Sequence, residues 1–468
     1  MTKSKVSIFI LLCCLAFLGY LSWEYALSTK KNHHRVILVT IDTTRADRFG
    51  CYGNEQNITP NIDKIAKEGV VFLNAYCQIP TTDPSHASIL TGTYPRTHGL
   101  VMNGGKIAKK DIPSLAEWFK KNGYLTAAIT SRPILEPKRM GIKGFDYTNV
   151  PKNYKADSRR AQNTYGRAIE WLDKNYNKDI FLWVHFWDPH DEYEPPPPFN
   201  SKFNNAYKGP YKRTKEKHGF IASDKKRYTE DELQYIEALY NGEIAFVDYY
   251  VGKLMDYFDK KSEGKEVAPL FIITADHGET LGELQDRLNY AFRHAKFVRY
   301  NTIHVPLIIK WKGVLPSGKT FNEIVESVDI APTIVELASN GKSKLEGCDG
   351  KSLKSLMQNG SKWNKKESFA RRRFYPHKIK GADFLDAREY GVTTKEWFLV
   401  TNEKKGTELY HIESDPIECT DISDERNDIV DDLLGRLKQW KNNFPETTPM
   451  KSKLTPEEQK VLKSLGYL

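Results

Sequence analysis

The sequence predicts an α/β fold with a large, mostly parallel sheet flanked by helices. Continuous apolar runs at residues 36–41 and 270–274 are typical of strands that are buried on both faces of a sheet. Helical segments alternate with such runs. The first begins at Thr59 and Pro60, which supply an N-cap and a first-turn proline, and it ends at Gly69. This alternation favours parallel strands joined by crossover helices.

The remaining elements divide the chain into a large and a small part. Further short apolar runs predict strands at residues 124–129, 181–184 and 305–309. A basic run at residues 371–373 marks a predicted boundary near residue 370. Beyond it, a strand at 397–401 and a helix at 428–440 predict a smaller α+β subdomain. We therefore expect a main domain over residues 29–370 and a C-terminal subdomain over 371–468.

Composition excludes few classes of protein. A net charge of +10 suits a solvated lysine-rich surface as well as attraction of an anionic ester or membrane surface. No helix-turn-helix, zinc-finger or RNA-binding signature is present, so we expect no nucleic-acid partner. Outside the N-terminal segment the cysteines form no CxxC pair, and their spacing demands neither a metal site nor a disulfide. The oligomeric state is left open.

The N-terminal segment, residues 1–28, is predicted to be a membrane anchor. Residues 6–23 are nearly all apolar, follow Lys3 and Lys5, and are just long enough to span a bilayer as a helix. No cleavage site with small residues follows closely, which favours an uncleaved transmembrane helix over a removed signal peptide. Positive charges flank both ends of the segment, so charge alone leaves the orientation open.

Acidic residues follow two of the predicted strands directly. Asp42 comes after the first strand, and Asp276 and His277 come after the strand at 270–274. Ligands of open α/β sheets bind beyond the carboxyl ends of the strands. An acid at a strand end often only caps the next turn, but an adjacent carboxylate and imidazole can hold one metal ion.

Residues 81–92 have the sequence TTDPSHASILTG. In this frame the segment resembles the sulfatase signature C-x-P-x-R-x-x-x-x-T-G, with Thr82 at the position of Cys or Ser and His86 at that of Arg. Sulfatases oxidise the Cys or Ser to a formylglycine, whose hydrated aldehyde attacks the ester. Threonine is not a substrate for that modification, so the resemblance implies an unmodified hydroxyl as nucleophile.

Several other segments, in the same order along the chain, are similar to the sulfatase branch of the alkaline phosphatase superfamily. They are residues 36–53, 181–190, 240–248, 274–283, 304–309, 408–416 and 465–468. The resemblance implies an alkaline-phosphatase-like sandwich in which residues 29–370 form the catalytic domain. Together with the predicted anchor it implies a membrane-anchored protein whose catalytic domain is periplasmic or extracellular.

The resemblance implies one divalent metal ion, held by Asp42, Thr82, Asp276 and His277. The family usually has a second aspartate after the first, and here that position is Thr43. Loss of this ligand leaves a smaller, softer set that suits manganese or zinc, with magnesium and calcium as the other candidates. A similar set occurs in lipoteichoic acid synthases and lipid A phosphoethanolamine transferases, which use an unmodified threonine.

The same resemblance implies a shell of substrate contacts. His190 and His294 fall on family histidines near the oxyanion and the leaving group, and we predict that both are catalytic. His86 is a further catalytic candidate that can equally serve to cap its helix. Lys296 and His185 are predicted to bind substrate, although His185 lies on a buried strand and can equally bond only to its neighbours.

These residues predict a metal-dependent, sulfatase-like hydrolase of sulfate or phosphate esters, with Thr82 as nucleophile. A hydrated aldehyde can expel sulfate by re-forming its carbonyl and a threonine cannot, which modestly favours phosphorus. One alternative is a phosphotransferase that moves a lipid headgroup to a glycan or lipid, although a single anchor is unusual for that class. The other is a catalytically inactive scaffold that binds anions, which the absence of the second aspartate and of the arginine favours.

Overall fold

The computed structural model describes residues 34–152, 159–203, 207–209, 219–220, 227–261, 268–360, 362–373, 375, 383–450, 454–456, 459–460 and 462. Among the helices of these residues, none combines the length and the apolar character that crossing a bilayer requires. For the structure as described, three predictions are therefore wrong: the transmembrane helix, the membrane partner and the membrane-anchored location. The predicted anchor at residues 6–23 lies outside the described residues.

The strands form one large sheet, one small sheet and a short pair. Their bounds are β1 Arg35–Ile41, β2 Val70–Tyr76, β3 Leu125–Thr130, β4 Tyr147–Asn149, β5 Ile180–Phe186, β6 Gly219–Phe220, β7 Leu270–Ala275, β8 Tyr290–Ala291, β9 Leu307–Lys310, β10 Lys319–Glu326, β11 Ser368–Arg371, β12 Glu389–Thr393, β13 Trp397–Asn402 and β14 Gly406–His411. Within the described part of the chain the large sheet has eight strands, in the order β10-β2-β9-β7-β1-β5-β3-β4.

The large sheet is mostly parallel, as predicted. In its centre β1 pairs in parallel with both β5 and β7, so that Val36 lies opposite Phe181 on one side and Leu270 on the other. Strand β9 runs antiparallel to its neighbours β2 and β7. This orientation depends on the path of the chain before β9, which the apolar run at 305–309 does not encode.

Helices cover both faces of the large sheet. Their bounds are α1 Pro60–Lys67, α2 Thr82–Thr91, α3 Pro95–His98, α4 Leu115–Lys121, α5 Pro137–Met140, α6 Ala161–Asn175, α7 Glu230–Lys261, α8 Gln285–Leu288, α9 Tyr300–Ile303, α10 Ile330–Ala338, α11 Lys354–Asn359 and α12 Asn427–Asn443. Alternate residues of β1 enter different apolar cores: Leu38 packs in the core that contains α2, α4 and α10, whereas Val39 packs in the core that contains α1, α6 and α7. This two-sided burial explains the uninterrupted apolar runs of the central strands.

The small sheet is antiparallel, in the order β11-β12-β13-β14. Helix α12 packs against it through Leu433, Leu437 and Trp440, which share an apolar core with Leu399 of β13. The predicted strand at 397–401 and the predicted helix at 428–440 are both present within this unit. The division of the chain into two domains near residue 370 remains a proposal.

Candidate metal centre

Two buried aspartates lie at the carboxyl ends of adjacent strands. Asp42 follows β1 and Asp276 follows β7, whose last residues Ile41 and Ala275 are paired in register. With His277 they form a group whose metal-ligating atoms all lie within 4.8 Å of one another. The parallel pairing of the two strands therefore brings together side chains that are more than two hundred residues apart in the sequence.

In each aspartate one carboxylate oxygen is hydrogen-bonded to a polar group of the described chain, and the other is not. Oδ1 of Asp276 accepts hydrogen bonds from the backbone N–H groups of Thr43 at 3.1 Å and His277 at 2.9 Å. Oδ2 of Asp42 lies 3.2 Å from Nε2 of His185. The remaining oxygens, Oδ1 of Asp42 and Oδ2 of Asp276, are buried and have no hydrogen-bond partner among the described residues.

This arrangement fits a divalent cation. Burial, followed by the charge of Asp276, raises the pKa of Asp42 well above its usual value, and burial likewise raises the pKa of Asp276. Two such carboxylates need a compensating positive charge to remain ionised. Nδ1 of His277 lies 2.9 Å from the carbonyl oxygen of Gly278, so Nδ1 carries the proton and Nε2 keeps a lone pair for a metal.

Thr82 is the first residue of α2 and is fully buried beside this group. Its Oγ1 lies 3.5 Å from Nε2 of His277, so the structure brings together all four predicted ligands. The next residue, Asp83, holds the start of the helix in place. Its backbone N–H donates to Oδ1 of Asn103 at 2.8 Å, and its Oδ2 accepts from Arg139 at 2.6 Å.

Thr43, at the position where the family has its second aspartate, follows Asp42 and is fully buried. Its backbone has φ of +48°, a conformation that is uncommon for a β-branched residue. The conformation is held by the N–H bond to Asp276 and by the Tyr240 hydroxyl, which donates to the Thr43 carbonyl at 2.7 Å. Oγ1 of Thr43 is buried without a hydrogen-bond partner among the described residues. Thr43 is therefore a further candidate ligand that the sequence did not indicate.

His86 lies beneath the site, with both ring nitrogens occupied. Nδ1 is 2.9 Å from the carbonyl oxygen of Thr82, and Nε2 is 3.0 Å from Oγ1 of Thr40. Thr40 in turn accepts a hydrogen bond from Nε1 of Trp183 at 2.9 Å. Burial lowers the pKa of His86 to about 3, so the ring is neutral. These contacts tie His86 to the start of α2 and engage both of its ring nitrogens within the protein, and its catalytic role stays a prediction.

His185 is likewise turned towards the protein. It is the penultimate residue of β5, is fully buried, and contacts Asp42 through Nε2. Its ring lies 5.0 Å from that of His86, centroid to centroid. The structure therefore supports a role in orienting Asp42, whereas the predicted contact of His185 with substrate has no support in this geometry.

The rings of His190 and His294 lie next to each other, and the His294 ring also lies next to that of His277. The ring centroid of His294 is 4.3 Å from that of His277 and 5.1 Å from that of His190. Nδ1 of His294 is 3.2 Å from the buried carboxylate of Glu279, and His190 stacks on Trp187 at 3.8 Å. Burial, with a smaller contribution from Arg293, lowers the pKa of His294 to about 3.

Two cations border these histidines. Lys296, two residues after His294, is half-buried, and its Nζ lies 3.9 Å from the centre of the Tyr375 ring. Arg132 follows β3 at the same edge of the sheet as Asp42, and its guanidinium lies 4.2 Å from the centre of the Trp187 ring. The charge of Arg132 acts on both Asp42 and His190. Sequence reasoning missed Arg132, although its position just after a predicted strand was a usable signal.

Comparison with known proteins gives consistent matches along the chain. Residues 34–340 match the family model described as Sulfatase, and residues 289–443 match that of the C-terminal part of N-sulphoglucosamine sulphohydrolase. An arylsulfatase of Clostridium perfringens is 26% identical, over 85% of this chain and 92% of its own length.

Solved structures share the fold. One protein, solved in complex with its substrate D-glucosamine-2-N,6-O-disulfate, has a TM-score of 0.69 at 22% identity and covers 89% of this chain and 99% of its own. The phosphonate monoester hydrolase of Agrobacterium radiobacter has a TM-score of 0.70 at 20% identity, with coverages of 87% and 95%. At these identities the two structures show the likeness of the fold alone.

Proposed function

The chain belongs to the sulfatase family and is a hydrolase of sulfuric or phosphoric esters, and we propose that it cleaves them with the unmodified hydroxyl of Thr82. The observation that carries this proposal is the position of Oγ1 of Thr82, 3.5 Å from Nε2 of His277 in the group that contains Asp42 and Asp276. A hydroxyl in this position is buried, is preorganised by the fold, and lies next to a group of side chains that could hold a cation.

Asp42, Asp276, His277 and Thr82 would hold one divalent cation, with Thr43 as a further oxygen ligand. When bound, the cation would lower the pKa of the Thr82 hydroxyl and withdraw charge from the ester oxygens. A set of carboxylate and hydroxyl oxygens with one imidazole nitrogen favours manganese or zinc over calcium, which prefers six to eight oxygens.

Residues of the chain itself would supply the nucleophile, move the proton and stabilise the charge during the reaction. In the first step the Thr82 hydroxyl loses its proton while Oγ1 forms a bond to phosphorus or sulfur, the bond from that atom to the ester oxygen breaks, and the leaving alcohol takes up a proton. His190 or His294, each with a lowered pKa, would accept the Thr82 proton and pass it to the leaving alcohol, and Glu279 beside His294 would stabilise the ring while it is charged. Arg132 would neutralise charge on the non-bridging oxygens. A water molecule then attacks the central atom, the bond from that atom to Oγ1 breaks, and the proton that the water loses restores the Thr82 hydroxyl.

Phosphoric esters fit this nucleophile better than sulfuric esters. A threonine ester cannot be released by re-formation of a carbonyl, so the second step needs attack at the central atom, which phosphorus accepts readily.

An inactive scaffold is disfavoured because two buried carboxylate oxygens without hydrogen-bond partners among the described residues are costly unless a cation binds them.

Metal analysis combined with a small substrate panel tests the proposal. Purified protein should contain one divalent ion per chain and hydrolyse p-nitrophenyl phosphate or bis-p-nitrophenyl phosphate faster than p-nitrophenyl sulfate. Asp276→Asn should lose both the ion and the activity. Asp248→Asn is the matched control, because the buried Asp248 carboxylate caps the start of α1, with hydrogen bonds from Asn61 and Ile62.

Each alternative has its own outcome. Absence of a stoichiometric ion would favour the anion-binding scaffold. Turnover that requires an added alcohol acceptor would favour the phosphotransferase. Faster hydrolysis of the sulfate ester would reverse our preference for phosphorus, and it would leave the role of Thr82 intact if mass spectrometry finds that residue unmodified.

A further inference from the structure

The last described residues of the chain lie across the segment that follows α2, the helix that begins at Thr82. This segment, residues 95–105, comprises α3 and the turns after it. Residues 444–447, together with Leu454 and Leu462, contact it, and we name these described residues the C-terminal strap. More than 300 residues separate the strap from the segment that it covers.

Polar contacts fix the strap to α3. The backbone N–H of Thr447 donates to the carbonyl oxygen of Arg96 at 2.7 Å, and the Thr447 hydroxyl donates to the carbonyl oxygen of Thr97 at 2.8 Å. In return, Nε of the buried Arg96 donates to the carbonyl oxygen of Phe444 at 2.7 Å. The strap therefore supplies donors to carbonyl groups at the end of α3, where a helix lacks donors of its own.

Apolar contacts fix the other end of the strap to Gly104. Gly104 has φ of +79°, and a Cβ atom there would lie 2.7 Å from Cδ1 of Leu462 and 3.0 Å from Cδ2 of Leu454. Both leucine side chains therefore pack directly on the Gly104 backbone, an approach that glycine alone permits. Leu462 is 1% exposed and belongs to the same apolar core as Leu90 of α2.

The backbone under the strap holds the first turn of α2. The N–H of Gly104 donates to Oδ2 of Asp83 at 2.7 Å, and the neighbouring Asn103 accepts a hydrogen bond from the Asp83 backbone N–H at 2.8 Å. Asp83 is fully buried and directly follows Thr82. A shift of Gly104 would therefore be passed through Asp83 to the residue that carries the proposed nucleophile.

A second connection reaches the middle of α2. Nδ1 of His98, the last residue of α3, accepts a hydrogen bond from the Leu100 backbone N–H at 3.1 Å, so the ring proton is on Nε2. This Nε2 lies 3.1 Å from Oγ of Ser88 and donates to it. Ser88 lies within two turns of Thr82 on the same helix. The helix that the strap holds is thus bonded to the helix that begins at Thr82.

We propose that the C-terminal strap positions the Thr82 hydroxyl for attack, acting through α3 and Gly104. This inference rests on the proposed function and adds two positioning residues outside the metal centre, Thr447 and Leu462. Attack requires aligned atoms, and a displacement of about 1 Å far from the chemistry can cost roughly a hundredfold in rate. Loosening the strap should therefore lower kcat and leave KM nearly unchanged, because the ester can bind before the nucleophile is aligned.

Kinetics of point variants of the full chain test the strap. Leu462→Ala removes apolar atoms from above Gly104, and Thr447→Val removes the bond to Thr97 while it keeps the shape of the side chain. Each variant should lower kcat about tenfold or more on the best ester of the substrate panel and change KM by less than about threefold. The content of divalent ion per chain should match that of the wild-type protein, because the strap contacts none of the candidate ligands directly.

Leu172→Ala is the matched control. Leu172 is a fully buried leucine of α6, in the apolar core on the opposite face of the large sheet. Its truncation should lower the midpoint of urea unfolding as a buried Leu→Ala change does, and should leave kcat within about twofold of the wild-type value. The proposal is overturned if both strap variants keep the wild-type kcat, or if Leu172→Ala lowers kcat as much as they do.

Hydrogen exchange tests the strap independently of catalysis. If the wild-type protein hydrolyses none of the esters, the proposed function fails, and exchange of the Gly104 and Asp83 backbone N–H groups still reports on the strap. In Leu462→Ala these groups should exchange about tenfold faster than in the wild-type protein, whereas in Leu172→Ala they should exchange at the wild-type rate. Unchanged exchange in Leu462→Ala would exclude the positioning role.

Discussion

Replacement of Thr82 by valine is the sharpest test of the catalytic argument, because it removes one oxygen and keeps the shape of the side chain. Oγ1 lies 3.5 Å from His277, at the limit of a hydrogen bond, so its loss should change the free energy of unfolding by less than ~1 kcal/mol. The effect on catalysis should be far larger. Loss of a nucleophile typically lowers the rate by about a thousandfold or more, or ~4 kcal/mol in the activation free energy.

Thr82→Ser is the matched variant. It keeps the hydroxyl and deletes a fully buried methyl group, which should cost about 1 kcal/mol of stability and leave kcat/KM within about tenfold of the wild-type value. The assays are urea unfolding, kcat/KM with p-nitrophenyl phosphate, and rapid-quench mass spectrometry for phosphorylated Thr82. A folded Thr82→Val protein that retains more than about a tenth of the activity would refute the nucleophile assignment.

Two further predictions concern stability and pH. Arg299 is buried between Glu408 at 2.7 Å and Glu418 at 3.1 Å, so Arg299→Met strands a buried carboxylate and should cost about 3–5 kcal/mol in urea unfolding. Arg426, an arginine in a separate and exposed ion pair, is the control. An equally large loss of stability in Arg426→Met would contradict this reasoning. The pKa of Lys296 is lowered to about 7, so Lys296 is charged below that pH and neutral above it. Its contribution to kcat/KM should fall as the pH rises through 7, and Lys296→Arg should abolish that limb; identical profiles would exclude the effect.

The central strands were predictable because burial on both faces leaves a continuous apolar run. The runs at 36–41 and 270–274 became β1 and β7 within one residue at each end. Strand β10 was missed, since its first half is largely exposed and its sequence KTFNEIVE carries no clear period. The orientation of β9 was also missed, because the choice between parallel and antiparallel depends on partner strands far away in the sequence.

The candidate site likewise has residues that the sequence predicted and residues whose roles it did not predict. Asp42, Thr82, Asp276 and His277 could be named from the sequence because each occupies a motif position, and a motif is a local pattern. The roles of His86, His185, Thr43 and Arg132 could not, because each depends on which atoms lie within 3–4 Å after folding. His86 occupies the place of an arginine in the motif, yet Thr40 and the Thr82 carbonyl use both of its nitrogens.

By itself, the sequence determined the class of fold, the family resemblance and the residue types available for chemistry, since these depend on local periodicity and on motif spacing. Only the tertiary structure decided which oxygens of Asp42 and Asp276 lack a hydrogen-bond partner among the described residues, and that Thr447 donates hydrogen bonds to α3. The physical reason is that hydrogen bonds and charge interactions act over a few ångströms in space, whereas the groups that make them here are separated by up to hundreds of residues along the chain.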